Sequence, residues 1–163
     1  MNPLSLSAMH GLDLSHLVCI RGEVNVDPGP TTERVQIVRD DHVPNKALRL
    51  VKAYIWQDSE DGTNQNAAIA CRLTTGPVLT AAKFEAADFN QIAWITSQEA
   101  ATQIGSKFHE DIIDPTNLIA GALFADFWEQ ENLPTTVNYM FIFQRVDLTD
   151  TQALISTLDD YVS

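Results

Sequence analysis

The pattern of apolar and polar residues reads as strands along most of this chain, and its clearest stretch is 137–148. Tyr139, Phe141 and Phe143 fall on one side of a strand there, with Met140 and Ile142 on the other. A strand apolar on both sides at its middle predicts an inner strand, covered on both faces. Its end is punctuated by Thr149 as an N-cap, with Gln152 three residues on. That is a capping box, and it predicts a short helix over 151–158.

Upstream, the same reading gives a series of strands. Residues 12–26 alternate weakly (Leu12, Leu14, then Leu17, Val18, Ile20) and predict one or two strand pieces. Asp27-Pro28-Gly29-Pro30 ends them, because two prolines and a glycine cannot continue a ladder. Residues 33–39 predict a half-buried strand through Val35 and Ile37. Residues 47–57 carry Leu48, Leu50 and Tyr54 on one face, Val51, Ala53 and Ile55 on the other, and Trp56 at the end. After a polar loop turning at Asp61-Gly62, residues 67–74 return as a strand, so 47–74 reads as a long hairpin.

Residues 80–87 read as a helical turn or irregular chain, 91–96 as a strand through Ile92 and Trp94, and 97–104 as a short helix or loop. A strand over 108–113 stops at Asp114-Pro115. Residues 116–130 predict a long apolar strand, with Leu118, Phe124 and Trp128 on one side and Ile119, Leu123 and Phe127 on the other. Paired with 137–148, it makes a second long hairpin. Seven or eight strands with only short helices predict an all-β antiparallel sandwich of the eight-stranded, jelly-roll kind, with a short C-terminal helix. The expected organisation is an extended arm over 1–11, one sandwich domain over 12–148, and a helix and tail over 149–163.

Composition narrows the function classes. A hydrophobic fraction of 45% suits a folded domain of 163 residues. The formal charge of −12, from 22 acidic and 10 basic residues, repels phosphate and argues against direct nucleic-acid binding. No run reaches the roughly 18 apolar residues of a membrane helix, and residues 1–9 lack the basic region of a signal peptide, so synthesis in a cytoplasm is expected. Cys19 and Cys71 both sit in strand-like runs; a bridge is geometrically open, but free thiols are the expectation.

Catalytic chemistry is not nominated by any motif. His10, His16, His42 and His109 are scattered and form no closely spaced metal-ligand pair. His109-Glu110-Asp111 and Asp40-Asp41-His42 would need the fold to bring them together, and solvated loop charges are the simpler reading. The loop from Asp58 places Gly62 one position early for a calcium loop and has no preceding helix. Phosphate loop, dinucleotide fingerprint and nucleophile elbow are all missing, so no enzyme, cofactor or metal is expected. The strand aromatics are expected in the core, with Trp56 and Trp128, beside polar loops, as candidates for partial exposure.

The closing stretch carries a resemblance. Asp114-Pro115, then Leu118-Ile119-Ala120-Gly121-Ala122-Leu123-Phe124, a connection, and Val137 through Asp150 is similar to the last two strands and terminal helix of single-jelly-roll capsid proteins of tailless icosahedral viruses of bacteria and archaea. The likeness covers the last third of the chain, and the middle more loosely. It implies a shell subunit that packs against copies of itself, with or without a second coat protein, in a virion, sometimes over an internal membrane. The acidic balance, with no basic arm, departs from a chain that would touch the genome. In such a shell, arms and terminal helices cross subunit boundaries. That points to Leu4, Leu6, Met9, Trp56, Trp128, Leu154, Leu158 and Tyr161 as assembly contacts. A carbohydrate- or ligand-binding sandwich is the alternative, with Trp56 and Trp128 as its platform.

Overall fold

In the computed structural model, residues 16–29, 32–38, 45–57, 68–76, 82–85, 87–99, 107–130 and 134–149 are described. They form eight strands: β1 (Leu17–Val26), β2 (Glu33–Val38), β3 (Lys46–Gln57), β4 (Ala68–Thr74), β5 (Gln91–Glu99), β6 (Lys107–Ile113), β7 (Leu123–Glu129) and β8 (Thr135–Asp147). The strands make two antiparallel sheets, ordered β1-β8-β3 and β2-β7-β4-β5-β6. The protein is an all-β sandwich. The expected arm over 1–11 and helix over 151–158 lie outside the described residues, as do Asp40, Asp41 and His42.

β8 is the middle strand of the smaller sheet. Its Val137, Tyr139, Phe141 and Phe143 are buried against Leu73, Ile95, Ala125 and Phe127 of the larger sheet. The Phe127 and Tyr139 rings meet across the gap at 5.4 Å, and Tyr139 stacks on Phe141 at 5.2 Å. Met140 and Ile142, on the other face, are only half-buried. The expected cover on both sides is therefore found, among the described residues, on one.

Tyr139 needs space on its own sheet, and Gly22 provides it. The two residues are register partners on β1 and β8. A Cβ at Gly22 would stand 2.5 Å from the Tyr139 hydroxyl and 2.7 Å from the ring. Replacing Gly22 with Ala is expected to lower stability by about 1–3 kcal/mol, as overpacking does, and Gly22→Val by more. Urea unfolding of the two variants checks both the size and the order.

Neither predicted long hairpin forms. β3 and β4 belong to different sheets, as do β7 and β8, so both connections cross from one sheet to the other. The outer pairings run instead between strands far apart in the chain, β1 with β8 and β2 with β7, with the consecutive strands β4 and β5 paired inside them. β6 ladders onto β5 and also packs against β3. Alternation reports which face of a strand is buried; it carries no information on which neighbour the strand pairs with.

Three further corrections have local causes. The β3–β8 register shifts between Leu50 and Lys52. This extra residue puts Leu50, Ala53 and Ile55 on the core side and turns Lys52, Tyr54 and Trp56 outward. Residues 116–122 are not a strand, because Asn117 and Ile119 are used to close the free edge of β3. Leu48 and Ile119 exchange two backbone bonds of 2.8 Å. The Leu50 N–H donates to Asn117 Oδ1 (2.8 Å), and Asn117 Nδ2 donates back to the Leu50 carbonyl (3.3 Å). Finally, residues 97–99 continue β5 rather than turning into a helix, since they pair with β6.

Candidate functional site

Three places in the sandwich gather side chains beyond ordinary core packing. The first is buried charge on the outer face of the larger sheet. Arg34 on β2, Asp126 on β7 and Arg72 on β4 share one rung and point away from the other sheet. Arg72 and Asp126 are nevertheless 0% exposed. Arg72 Nε donates to Asp126 Oδ2 at 2.9 Å, and Arg34 Nη1 lies 3.6 Å from Asp126 Oδ1. The cover is the chain between β4 and β5: Arg72 Nη1 donates to the Lys83 carbonyl (3.0 Å), and Phe84 packs edge-on against Trp128 at 5.0 Å. Arg34 Nη2 donates to the Gly76 carbonyl (3.1 Å), with its guanidinium over the Phe124 ring. Burial pulls the Arg34 guanidinium below its ordinary value, against the opposing pull of Asp126. The cluster fastens a crossing segment to the sheet.

That segment ends in a turn that displays an aromatic ring. Gln91 Oε1 accepts from the Glu85 N–H (3.0 Å) and from Trp94 Nε1 (2.8 Å), and Gln91 Nε2 donates to Asp88 Oδ2 (3.2 Å). Asp88 Oδ1 also accepts from the Asn90 N–H at 3.1 Å. Between these anchors Phe89 is 98% exposed. The turn is held by side chains on both sides of Phe89, so the ring is presented on a fixed support.

The second place is the outer face of the smaller sheet. Trp56 is 45% exposed there, beside Tyr54, Met140 and Ile142. His109 of β6 stacks on Tyr54 at 5.6 Å, and its Nε2 donates to the Ala53 carbonyl at 3.2 Å. Lys52 pairs with Asp111 at 3.1 Å. His109 is thus part of an edge seal. Among the described residues, no group of three or more His, Cys, Asp or Glu side chains is placed to hold a metal ion.

The third place is a groove of about 730 Å³ at the end of the sandwich where β1 begins and β8 finishes. Its floor is apolar, formed by Ile20, Ile37, Val38, Leu48 and Ile119, and its rim carries His16, Lys46, Arg145 and Asp147. Lys46 pairs with Asp147 and, by hydrogen bond and charge, holds that carboxyl below its ordinary value. Ile20, Ile37, Val38 and Leu48 pack against the core while only partly covered.

Trp128 does not sit where the sequence suggests. It is 5% exposed, under Phe84 and 5.9 Å from Arg72, so it cannot belong to a surface platform with Trp56. Leu4, Leu6, Met9, Leu154, Leu158 and Tyr161 lie outside the described residues. Phe89 and the Arg72–Asp126 pair are absent from the sequence reading, although a signal exists for each. Arg72 and Asp126 are opposite charges flanked by apolar residues in the middle of their strands, and Phe89 is an aromatic ring between turn-forming Asp88 and Asn90.

Cys19 and Cys71 are free thiols, Cys19 exposed and Cys71 buried. Burial pushes the Cys71 thiol well above its ordinary value, with Asp126 adding to the rise. Burial also raises the Tyr139 phenol. Both folded groups keep protons that the unfolded chain releases, so the unfolded state binds fewer protons at high pH and stability falls. The fall is expected above about pH 9, the ordinary thiol value, at roughly 1.4 kcal/mol per pH unit for each retained proton. Denaturation midpoints across that range check it, and Cys71→Ala should flatten the lower part of the slope.

No protein-family model matches the chain, and no curated protein is significantly similar to it. The functional reading therefore rests on the geometry above.

Proposed function

We propose that this protein is a single jelly roll serving as a virus coat subunit, assembling with copies of itself, alone or with a second coat protein, into an icosahedral shell. The observation that carries the reading is the nested pairing of first strand with last: β1 with β8, β2 with β7, and β4 with β5 innermost. Folding a long antiparallel ribbon over on itself produces this order, and such rolls are the architecture of many capsid proteins. One pairing departs from the pattern. β6 lies beside β3 through His109 and the Ala53 carbonyl but hydrogen-bonds to β5.

A fold does not name a function by itself, and the surface supplies the second support. Phe89, Trp56 and Ile112 are large apolar side chains held outward on the turn, the smaller sheet and β6 respectively. In a subunit such side chains are buried by neighbours, where aromatic anchors dominate the contact energy. Changing Phe89 to Ser is expected to leave the unfolding midpoint unchanged, because the ring touches little of its own chain. It should reduce assembly at least tenfold in subunit concentration, the cost of losing one aromatic anchor. Electron microscopy of the purified chain tests the reading: closed particles, rings or sheets of one subunit type are expected. A field of separate 18.1 kDa molecules at all concentrations would contradict a shell built by this chain alone.

The second reading, a ligand-binding sandwich, draws on the groove beside His16 and Arg145, whose size is within the range of small-molecule sites. A glycan platform of Trp56 with Trp128 is not among its forms, since Trp128 is buried.

A further inference from the structure

The two edges of the smaller sheet are finished differently. The free edge of β3 is closed by the Leu48–Ile119 bonds, by Asn117 on Leu50, and by His109 on the Ala53 carbonyl. β1, at the opposite edge, has β8 on one side and, among the described residues, no hydrogen-bonded neighbour on the other. Bulges, prolines and lysines are common means of keeping an edge strand from pairing. β1 has none of them: its register with β8 runs unbroken from Leu17 to Val26.

The core-facing line of β1 is also short of cover. Val18, Ile20 and Val24 pack against the core but are only half-buried. Tyr139 stands over Gly22 between them, so the line is apolar without a gap. The outer face reads Cys19, Arg21, Glu23 and Asn25, all exposed. Among the described residues, neither Arg21 nor Glu23 has an ion-pair partner.

The strand is complementary to itself. Antiparallel pairing of two β1 strands has to keep core-facing residues opposite core-facing ones. Centred on Gly22, it sets Ile20 opposite Val24 and Val18 opposite Val26, which extends the apolar line. On the outer face it sets Arg21 opposite Glu23 twice, and Cys19 opposite Asn25. Moving the centre one residue either way sets Arg21 against Arg21 or Glu23 against Glu23. Opposite charges across a rung stabilise a ladder and like charges destabilise it, so one register is selected. A two-fold axis at Gly22 uses the same patch on both copies, as a closed dimer requires.

We propose that β1 pairs with β1 of a second copy of this chain in this register, joining two smaller sheets into one. Sedimentation of the full chain tests it, with dimers forming as concentration rises. Glu23→Arg and Arg21→Glu each turn two opposite-charge rungs into like-charge rungs, and each should weaken the dimer about tenfold or more. Mixed in equal amounts, the two variants regain opposite charges at both rungs, and mixed dimers should form as tightly as wild type. The two changes move the net charge of −12 by two in opposite directions. If overall repulsion governed, one variant would dimerise better and the other worse, and that result overturns the proposal. Monomers at every concentration overturn it, as does a mixture no tighter than its parts.

Asn25→Cys checks the register. Isotopically light and heavy protein are mixed and treated with a short bis-maleimide. Cys19 should join the introduced thiol in peptides that combine both isotopes, at least about tenfold above wild type, as the local concentration in a dimer requires. Within one copy the two positions are about 20 Å apart along the strand, too far to be joined. The two Cys19 thiols of a wild-type dimer would stand equally far apart, so abundant Cys19–Cys19 links overturn the proposal. The pairing is independent of the shell. Dimers that go no further uphold it without supporting a coat, whereas large particles indifferent to both charge variants support a coat and overturn it.

Discussion

Replacing Asp126 with Ala is expected to lower the unfolding free energy by about 3–5 kcal/mol, the cost of breaking a buried ion pair from one side. That is a large share of the roughly 5–15 kcal/mol that holds a typical domain together. The size follows from what stays behind. Arg72 cannot leave the sheet, because its Nη1 is bonded to the Lys83 carbonyl and the segment carrying Phe84 closes over it. Without Asp126, its guanidinium would sit 0% exposed beside a second guanidinium, Arg34, having lost the carboxylate that lies 2.9 Å away. Urea unfolding measures the loss. A companion variant separates charge from packing: Asp126→Leu combined with Arg72→Met removes both charges and should recover most of the stability. If the double variant is no better than Asp126→Ala, the cost lies in packing on this face rather than in the stranded charge.

Truncating Phe141 to Ala is expected to cost about 3–5 kcal/mol, whereas Met140→Ala, one position away, should cost about 1 kcal/mol or less. Phe141 is 0% exposed in the middle of β8, flanked by Ile20 of β1 and Ala53 of β3 in register and stacked on Tyr139. Small neighbours and strands on both sides leave little room for collapse into the vacated space, so the cavity term is large. Met140 faces outward next to Arg21 and Tyr54. The contrast between adjacent positions is the thermodynamic signature of the register. Equal losses at the two sites would mean that the outer face of the smaller sheet is as well covered as the core.

The legible part of the fold was the part with one strict rule. Where a strand buries one face, residues must alternate, and that places β2; β8 is legible instead as a strand apolar on both sides at its middle. The failures share a cause: features in which distant residues decide a local outcome. Strict alternation puts Tyr54 on the face of Leu50 and Ala53 opposite; the bulge after Leu50 adds a residue and reverses both, and alternation has no way to count it. Residues 116–122 are apolar enough for a strand, but Asn117 and Ile119 are taken by Leu48 and Leu50, roughly seventy positions earlier in the chain. The two expected hairpins are sheet crossings for the same reason: pairing is settled by the whole sandwich.

The candidate sites were less legible than the fold. The exposure of Trp56 is legible, because it follows a run of strand residues and precedes a polar loop. Trp128 has the same local setting, yet Phe84 covers it, and Phe84 lies in a stretch with no regular pattern. A charged residue in a strand normally marks a solvent face, so Arg72 and Asp126 drew no attention singly; only their rung reveals them as a pair. The groove draws on residues from 16 to 147, gathered from β1, β2, β3, β8 and the stretch around Ile119. No local pattern encodes it.

The measurement that tests the central claim most directly is light scattering of the full chain, at fixed protein concentration, through a salt titration. A surface with a net charge of −12 resists close packing of copies, and screening relieves that repulsion over a Debye length of about 8 Å at physiological ionic strength. A coat subunit predicts a sharp rise from small species to large particles of uniform mass as salt increases, delayed or abolished by Phe89→Ser. A single small mass at every salt concentration, identical for the two proteins, would contradict it.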